Sequence, residues 1–470
     1  MARRVDFYRY YACFRRKITG NEKFPQKRGE QVLIIPEQVK KILLRLEEEG
    51  YEAWCVGGAV RDALLGLEPG DWDVTTSAPP EAVLSLFAPD ALPTGLKHGT
   101  VTVGGGKGVE VTTFRRDGAY LDNRHPDHVE FTGSLEEDLA RRDFTVNAIA
   151  VNLRGELADP FGGRADAARK ILRAVGEPEK RFGEDALRIL RGLRFASRLG
   201  FAIEDGTAGA VRRCAPLLKH IAPERIRTEL TGVLCGACAA ETLLAYPDVL
   251  GVFMPEILPC VGFDQHSVYH CYDVWEHTAR AVAAVKPLPV LRYAMLLHDL
   301  GKPETFALDG EGRGHFYGHW RRSVELAGDV LDRLRMDNHS KRMILTLVER
   351  HDCPLTLSEK SVRRNLARYG EETLRLLLEV KKADNLAQAE DYRDRQALIR
   401  QWADMLELVL AGGECFSLRQ LAVKGGDLTA LGLRGPAVGR ALGGLLELVI
   451  DEKLPNERGI LLEYIKEELL

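Results

Sequence analysis

The stretch Gly57-Gly58-Ala59-Val60-Arg61-Asp62 leaves an apolar, β-rich segment, Tyr51 to Val56, and is followed by Asp71-Trp72-Asp73, with twelve residues between Gly58 and Asp71. Two glycines at the end of a strand let a backbone approach a triphosphate closely, with amides exposed at a helix start. Arg61 can then donate to phosphate oxygens. Asp71 and Asp73, one residue apart, point to the same side of a strand. Their four oxygens suit one or two Mg2+ ions, which orient an attacking hydroxyl and neutralise charge on the α-phosphate and the leaving pyrophosphate. The bland alternative is a solvated turn.

Upstream, Val39, Ile42, Leu43 and Leu46 recur at three- and four-residue steps, which predicts a helix from about Glu37 to Glu49, stopped by Gly50. Downstream, Val101 to Val103 and Val109 to Phe114 read as strands around the turn Gly104-Gly105-Gly106. Glu110 is either a third metal-facing carboxylate or an outward strand residue. In Arg141-Arg142-Asp143-Phe144-Thr145-Val146-Asn147-Ala148 the arginines can bind phosphate or ribose, and Asp143 or Asn147 can read a 2′-hydroxyl. A helix-start salt bridge is the other reading of Asp143. After Asp159-Pro160-Phe161-Gly162-Gly163 the strand signal nearly disappears and the rest reads as helices. The fold class is therefore α+β, with a mixed head and a helical remainder.

The length of 470 residues implies three or four domains. The expected division is a basic, mobile extension at 1–30, a head at 31–165, a helical neck and body at 166–260, a further helical domain at 261–390 and a helical tail at 391–470. No apolar run is long enough to span a bilayer and the N-terminus lacks the core of a secretory signal, so a cytoplasmic location and no membrane partner are expected. The nine cysteines are scattered, and Cys235 and Cys238 read as part of a buried helix surface rather than a zinc or redox pair. The net charge of −4 hides a basic region. Residues 164–227 hold 15 Lys/Arg against 8 Asp/Glu, so local phosphate attraction is possible despite the sum.

Within that region, Glu184-Asp185 opens a segment in which Asp185, Arg188, Arg191 and Arg194 recur every three residues, beside Leu187, Leu190 and Leu193. Cytosine and adenine each present an amino donor next to an unprotonated ring nitrogen. An Asp accepts from the first and an Arg donates to the second, while uracil and guanine would leave buried groups unpaired. Glu184 is a further candidate in the same segment. The competing reading is an ion-paired surface helix.

GGAVRD at 57–62, DWD at 71–73, RRDFTVNA at 141–148, DPFGG at 159–163, APERI at 222–226 and EDALRILRGLRF at 184–195 together resemble the bacterial class II tRNA nucleotidyltransferase and poly(A) polymerase family, over residues 50–260. The resemblance implies a polymerase-β-like nucleotidyltransferase head followed by an all-α neck, body and tail. It also implies that Gly57, Gly58 and Arg61 bind nucleotide, that Asp71 and Asp73 hold Mg2+, and that Arg142 contacts ATP or CTP. Asp185 and Arg188 would read the base, Arg191 and Arg194 would bind phosphates, and the partner would be tRNA, which receives C, C and A in turn. Addition of A alone, or of poly(A), is the alternative within the family.

Eight of the twelve histidines fall between His266 and His351. His298-Asp299 ends the apolar run Ala294 to Leu297, and a polar pair at the end of a buried helix needs a partner such as a divalent metal. With His277 and Asp384, this pair resembles the HD metal-dependent phosphohydrolase domain, in which these four positions are ligands. By the same resemblance, His319 and His351 complete a two-metal site. A phosphohydrolase acting on RNA ends, with the head reduced to an RNA-binding module, is the reading from another class.

Overall fold

The computed structural model describes residues 34–105, 108–118 and 129–468. The expected extension at 1–30 lies outside the described residues.

Helix Glu37–Glu48 buries Val39, Ile42, Leu43 and Leu46, the stripe its spacing predicts. It packs on a sheet of seven strands: β1 (Ala53–Val56), β2 (Asp73–Thr76), β3 (Ala91–Gly95), β4 (Thr100–Val103), β5 (Val109–Thr113), β6 (Ala150–Val151) and β7 (Leu157–Ala158). Their order is β3-β4-β5-β2-β1-β6-β7. β2 runs parallel to β5 in the register Asp73↔Glu110, and β1 runs antiparallel to β2 with Val56 opposite Asp73. Alternating burial follows from the pleat: Val109, Val111 and Thr113 on β5 turn inward while Glu110 faces out. The chain leaves β1 through Gly57, at φ 82°, into helix Gly58–Leu64. Positive φ there favours glycine.

Beyond the head, helix Leu187–Leu199 buries Leu187, Ile189, Leu190 and Leu193 and packs against helix Pro223–Leu234. A single apolar core runs from Phe144 and Val146 in the head, through these helices, to Trp402, Leu406 and Val409 on helix Arg395–Ala411. Leu421, Val423, Leu428, Leu445, Leu461 and Ile465 form a core of their own near the C-terminus. The helical part carries two short β elements that its sequence does not announce: Ile171–Leu172 paired with Ala202–Ile203, and the hairpin Phe306–Leu308/Gly314–Phe316. Strands of two or three residues are too short to show a period of two. Among the described residues no helix is long and apolar enough to cross a membrane.

Candidate active site and metal centre

The register of β2 and β5 sets Asp73 beside Glu110 at the neighbouring-strand spacing of about 4.8 Å. Asp71 lies just before β2. Among the described residues none of the three carboxylates makes an ion pair within 4 Å. Burial pushes the Asp73 carboxyl up to about 6, Arg142 opposes this, and Glu110 and Asp71 add to it. A carboxyl that burial and neighbouring acids make reluctant to ionise, with two more carboxylates beside it, is a fitting seat for a hard divalent cation.

Gly57 closes this corner. A Cβ there would stand 3.4 Å from Arg142 Nη1 and 3.7 Å from Asp73 Oδ2, so the turn, the acid and the arginine border one space. Arg142 is held by Asp138, a fully buried carboxylate that sequence spacing did not single out. Asp138 accepts from Arg141 Nε and Nη2 at 2.9 and 2.8 Å, from Arg142 Nη2 at 3.4 Å and from Thr75 Oγ1 at 3.1 Å. Its signal was available as acid-to-arginine steps of three and four residues on helix Leu135–Ala140.

Arg61 is 2% exposed. It donates from Nε and Nη2 to Asp62 Oδ1 (2.8 and 2.6 Å) and from Nη1 to Asn147 Oδ1 (2.5 Å), so its donors face protein partners. Asn147 Nδ2 donates to Asp143 Oδ1 at 3.0 Å, and Arg191 donates to Asp143 Oδ2 at 2.8 Å. Asp62, Arg61, Asn147, Asp143 and Arg191 thus form a continuous polar chain from the glycine turn to helix Leu187–Leu199. Burial alone would raise the Asp143 carboxyl, but Arg191 and the Asn147 amide outweigh it and bring it down to about 2. Because the folded value lies below the unfolded one, this stabilisation is complete at neutral pH and is lost as the pH falls through about 2. Asp143→Asn is accordingly expected to destabilise the protein by about 2 kcal/mol at pH 7. The deficit should narrow in melting curves recorded at progressively lower pH.

The stripe of the second segment is split by a helix break. Asp185 is the C-terminal cap of helix Pro178–Glu184 rather than a member of the next helix. Its Oδ1 accepts from the Leu187 amide (3.1 Å) and its Oδ2 from Arg225 Nη2 (3.2 Å). Arg188 donates to Glu184 Oε2 at 2.7 Å, to the Arg181 carbonyl at 3.2 Å and to the Arg141 carbonyl at 3.1 Å, which ties the stripe to the head. Arg194 donates to Glu229 Oε2 at 2.6 Å. Phe195, unremarked in the sequence, carries three guanidinium groups around its ring: Arg61 at 5.1 Å, Arg191 at 5.5 Å and Arg194 at 4.6 Å. Such contacts attract cations to the face of the ring.

Far from this corner in sequence, six candidates gather from five helices. His277 Nε2 lies 3.0 Å from Asp384 Oδ1 and 3.6 Å from Asp299 Oδ2, and His298 Nε2 lies 3.1 Å from the same Asp299 oxygen. His319 and His351 approach the other oxygen of Asp299 at 3.5 and 3.7 Å. Each histidine turns Nδ1 to a backbone carbonyl: Ala387, Met295, Phe316 and Val348 respectively. A carbonyl accepts only from a protonated Nδ1, so in each neutral ring Nε2 is a lone pair. The lone pairs of His277 and His298 then face each other at 3.3 Å, and those of His319 and His351 at 3.2 Å. Such facing nitrogens around a buried carboxylate repel unless a proton or a metal cation lies between them, and, against the effect of burial, Asp299 and Asp384 do favour the protonated form of His298. The geometry offers two candidate metal triads that share Asp299: His277-His298-Asp299 and Asp299-His319-His351. Lys302, whose Nζ is 2.7 Å from Asp299 Oδ2, is a neighbour the sequence reading passed over. Cys235 and Cys238 are free thiols.

Comparison with known proteins places these features. Residues 53–173 match the family described as "Poly A polymerase head domain", 200–259 the "Probable RNA and SrmB- binding site of polymerase A", and 321–465 "tRNA nucleotidyltransferase domain 2 putative". A CCA-adding enzyme of Geobacillus stearothermophilus is 54% identical over 266 residues, which are 56% of this chain and 63% of the relative, so in that alignment the chain spans less than two thirds of the relative's length. A CCA-adding enzyme of Levilactobacillus brevis is 34% identical over 432 residues, 91% of this chain and 97% of the relative. The crystal structure of the Bacillus stearothermophilus CCA-adding enzyme in complex with CTP superposes with a TM-score of 0.71 at 33% identity, covering 92% of this chain and 98% of that one. With a third of its residues shared along nearly the whole of such proteins, the chain belongs to the CCA-adding enzyme family.

Proposed function

We propose that this chain is a tRNA nucleotidyltransferase that adds C, C and A from CTP and ATP to the tRNA 3′ end without a nucleic-acid template. The observation that carries the reading is the meeting of Asp73, Glu110, Gly57 and Arg142 at one corner, joined through Asp143 to Arg191 on helix Leu187–Leu199. In the reaction the 3′-oxygen of tRNA bonds to the α-phosphorus, the bond to pyrophosphate breaks, and the hydroxyl proton passes to solvent. Asp71 and Asp73, with Glu110 adjacent, would hold Mg2+, which when bound would neutralise charge on the α-phosphate and the leaving group. Gly57 and Gly58 leave room for the triphosphate beside backbone amides, and Arg142 faces it, aimed by Asp138. Asp185 accepts from the exocyclic amino group common to C and A, and Arg188, steadied by Glu184, donates to the ring nitrogen. Arg61, Asn147 and Asp143 serve as the frame that keeps the phosphate-facing and base-facing groups in register. A protein acting on tRNA without a membrane-length helix among its described residues belongs in the cytoplasm.

The test is incorporation into tRNA lacking part or all of its CCA end, with each nucleotide supplied separately and then in sequence. CMP should enter first and AMP only after two C residues, with UTP and GTP rejected by two or more orders of magnitude, as expected where a buried polar group would be left unpaired. Incorporation of A alone would replace this reading with that of an A-adding enzyme or poly(A) polymerase.

A second reading rests on the cluster around Asp299. We infer that His277, His298, Asp299 and Asp384, extended by His319 and His351, hold one or two divalent metal ions and hydrolyse phosphate esters at RNA ends, as in an HD-type phosphohydrolase. Imidazole and carboxylate donors suit Mn2+, Co2+, Ni2+ or Zn2+. The convergence of two His/Asp triads on the buried Asp299, with every Nδ1 already turned to a carbonyl, supports the metal. The cleft of about 380 Å³ that opens onto Asp299, His319, His351 and Asp384 supports a substrate.

A further inference from the structure

The hairpin Phe306–Leu308/Gly314–Phe316 forms one wall of the cleft over the metal-binding cluster, and its second arm continues into Tyr317. Arg313, His315 and Tyr317, on and immediately beside that arm, all line the cleft. Tyr317 is 77% exposed. Among the described residues only two other Phe, Tyr or Trp rings are exposed, Tyr269 at 52% and Phe131 at 48%, and Tyr269 lines the same cleft. The ring of Tyr317 lies parallel to that of His315, with centroids 5.3 Å apart and planes within 4°. His315 is itself fixed by Asp309 Oδ2 at 2.8 Å. On the opposite wall, Tyr269 is braced edge-on by Tyr392 at 4.7 Å. His270 contributes a buried Nδ1 that has no hydrogen-bond partner.

Two exposed, pre-ordered rings beside a metal-binding cluster cost the free protein solvation without contributing to its core. A ligand with a flat aromatic part and an adjacent phosphate recovers that cost, because each base offers a π-face whatever its sequence. We propose that Tyr317, backed by His315, is a stacking platform for the terminal base of the phosphorylated substrate, so that the centre takes nucleotides and single-stranded RNA ends in preference to base-free phosphate esters. The proposal rests on the hydrolytic reading of the Asp299 cluster for its substrate, and on the hairpin geometry for the platform. Arg313, exposed on the same arm, attracts the neighbouring phosphate, and the unpaired His270 nitrogen offers a hydrogen bond to sugar or base.

Two measurements on the full chain test it. First, the enzyme supplied with Mn2+, Co2+ or Ni2+ is assayed on adenosine 2′-monophosphate and on glycerol 2-phosphate, which has no ring. Tyr317→Ala should raise KM for the nucleotide about tenfold, the size of one lost base–aromatic stack. It should leave KM for glycerol 2-phosphate and both kcat values unchanged, while Tyr317→Phe behaves as the parent. Equal loss on both substrates, or none on either, overturns the platform. Second, quenching of 2-aminopurine riboside 2′-monophosphate fluorescence by metal-free protein should weaken in Tyr317→Ala and persist in Tyr317→Phe. Quenching identical in all three proteins overturns the proposal. Absence of hydrolysis of either ester with every metal would reject the hydrolytic reading, and the fluorescence result would then decide the platform alone.

Discussion

Asp73→Ala is expected to reduce incorporation of both CMP and AMP by about a thousandfold or more, the scale set by the several kcal/mol that a correctly seated metal supplies to phosphoryl transfer. The effect is expected on both nucleotides alike because the proposed reaction sets Asp73 at the phosphate end and assigns the base to Asp185 and Arg188. The fold should survive. Asp73 is a carboxyl that burial keeps from ionising readily, aggravated by Glu110 and Asp71 and only partly relieved by Arg142. Its removal therefore takes away a strained charge, and the melting temperature of the metal-free variant should equal or exceed that of the parent. Single-turnover incorporation with each nucleotide, beside a melting curve, checks both parts. Retention of more than a tenth of the activity would displace Asp73 from the centre of the reaction. Hydrolysis at the second centre should be untouched.

Asp299→Ala is expected to bring the bound metal of the helical domain to background and to abolish phosphate-ester hydrolysis, with nucleotide incorporation intact. Asp299 faces both candidate triads, one oxygen toward His277 and His298, the other toward His319 and His351. It is also the charge partner of the buried Lys302. Leaving that ammonium with Gln265 and the face of the Phe316 ring, and no counter-charge, should cost about 3–5 kcal/mol, the usual penalty for breaking a buried pair. A drop in melting temperature is thus part of the expected result. His319→Ala separates the two effects, since it spares Lys302 and removes one ligand of a single triad. Elemental analysis after dialysis should show its metal content reduced but not abolished. Metal content unchanged in both variants would exclude the cluster as a metal centre.

Much of the architecture follows from local chemistry. The stripe Val39, Ile42, Leu43 and Leu46 specifies a helix because apolar side chains at three- and four-residue steps share one face. Gly50 and Gly57 mark its stop and the next turn because both occupy positive φ, at 85° and 82°. Asp299 stood out because a carboxylate at the end of a buried apolar helix demands a cation. Features without local periodicity stayed hidden. The hairpin strands are three residues each, and the break that turns Asp185 into a helix cap interrupts a spacing of three that would also fit an unbroken helix.

By itself the sequence determined which kinds of group are available and in what local arrangement: glycines before a helix, arginines alternating with leucines, histidines at helix ends, and two acids one residue apart, of which only Asp73 lies on the strand, Asp71 sitting in the exposed bend before it. Those depend on neighbours within one or two turns, where geometry is fixed by the backbone. Only the tertiary structure decided which of them meet. Strand register put Glu110 beside Asp73, the buried Asp138 aimed Arg142, Phe195 collected three arginines, and helix packing brought His277, His298, Asp299, His319, His351 and Asp384 into one cluster. Convergence of this kind is set by how faces pack across a shared core, a relation between residues a hundred positions apart that no local spacing records.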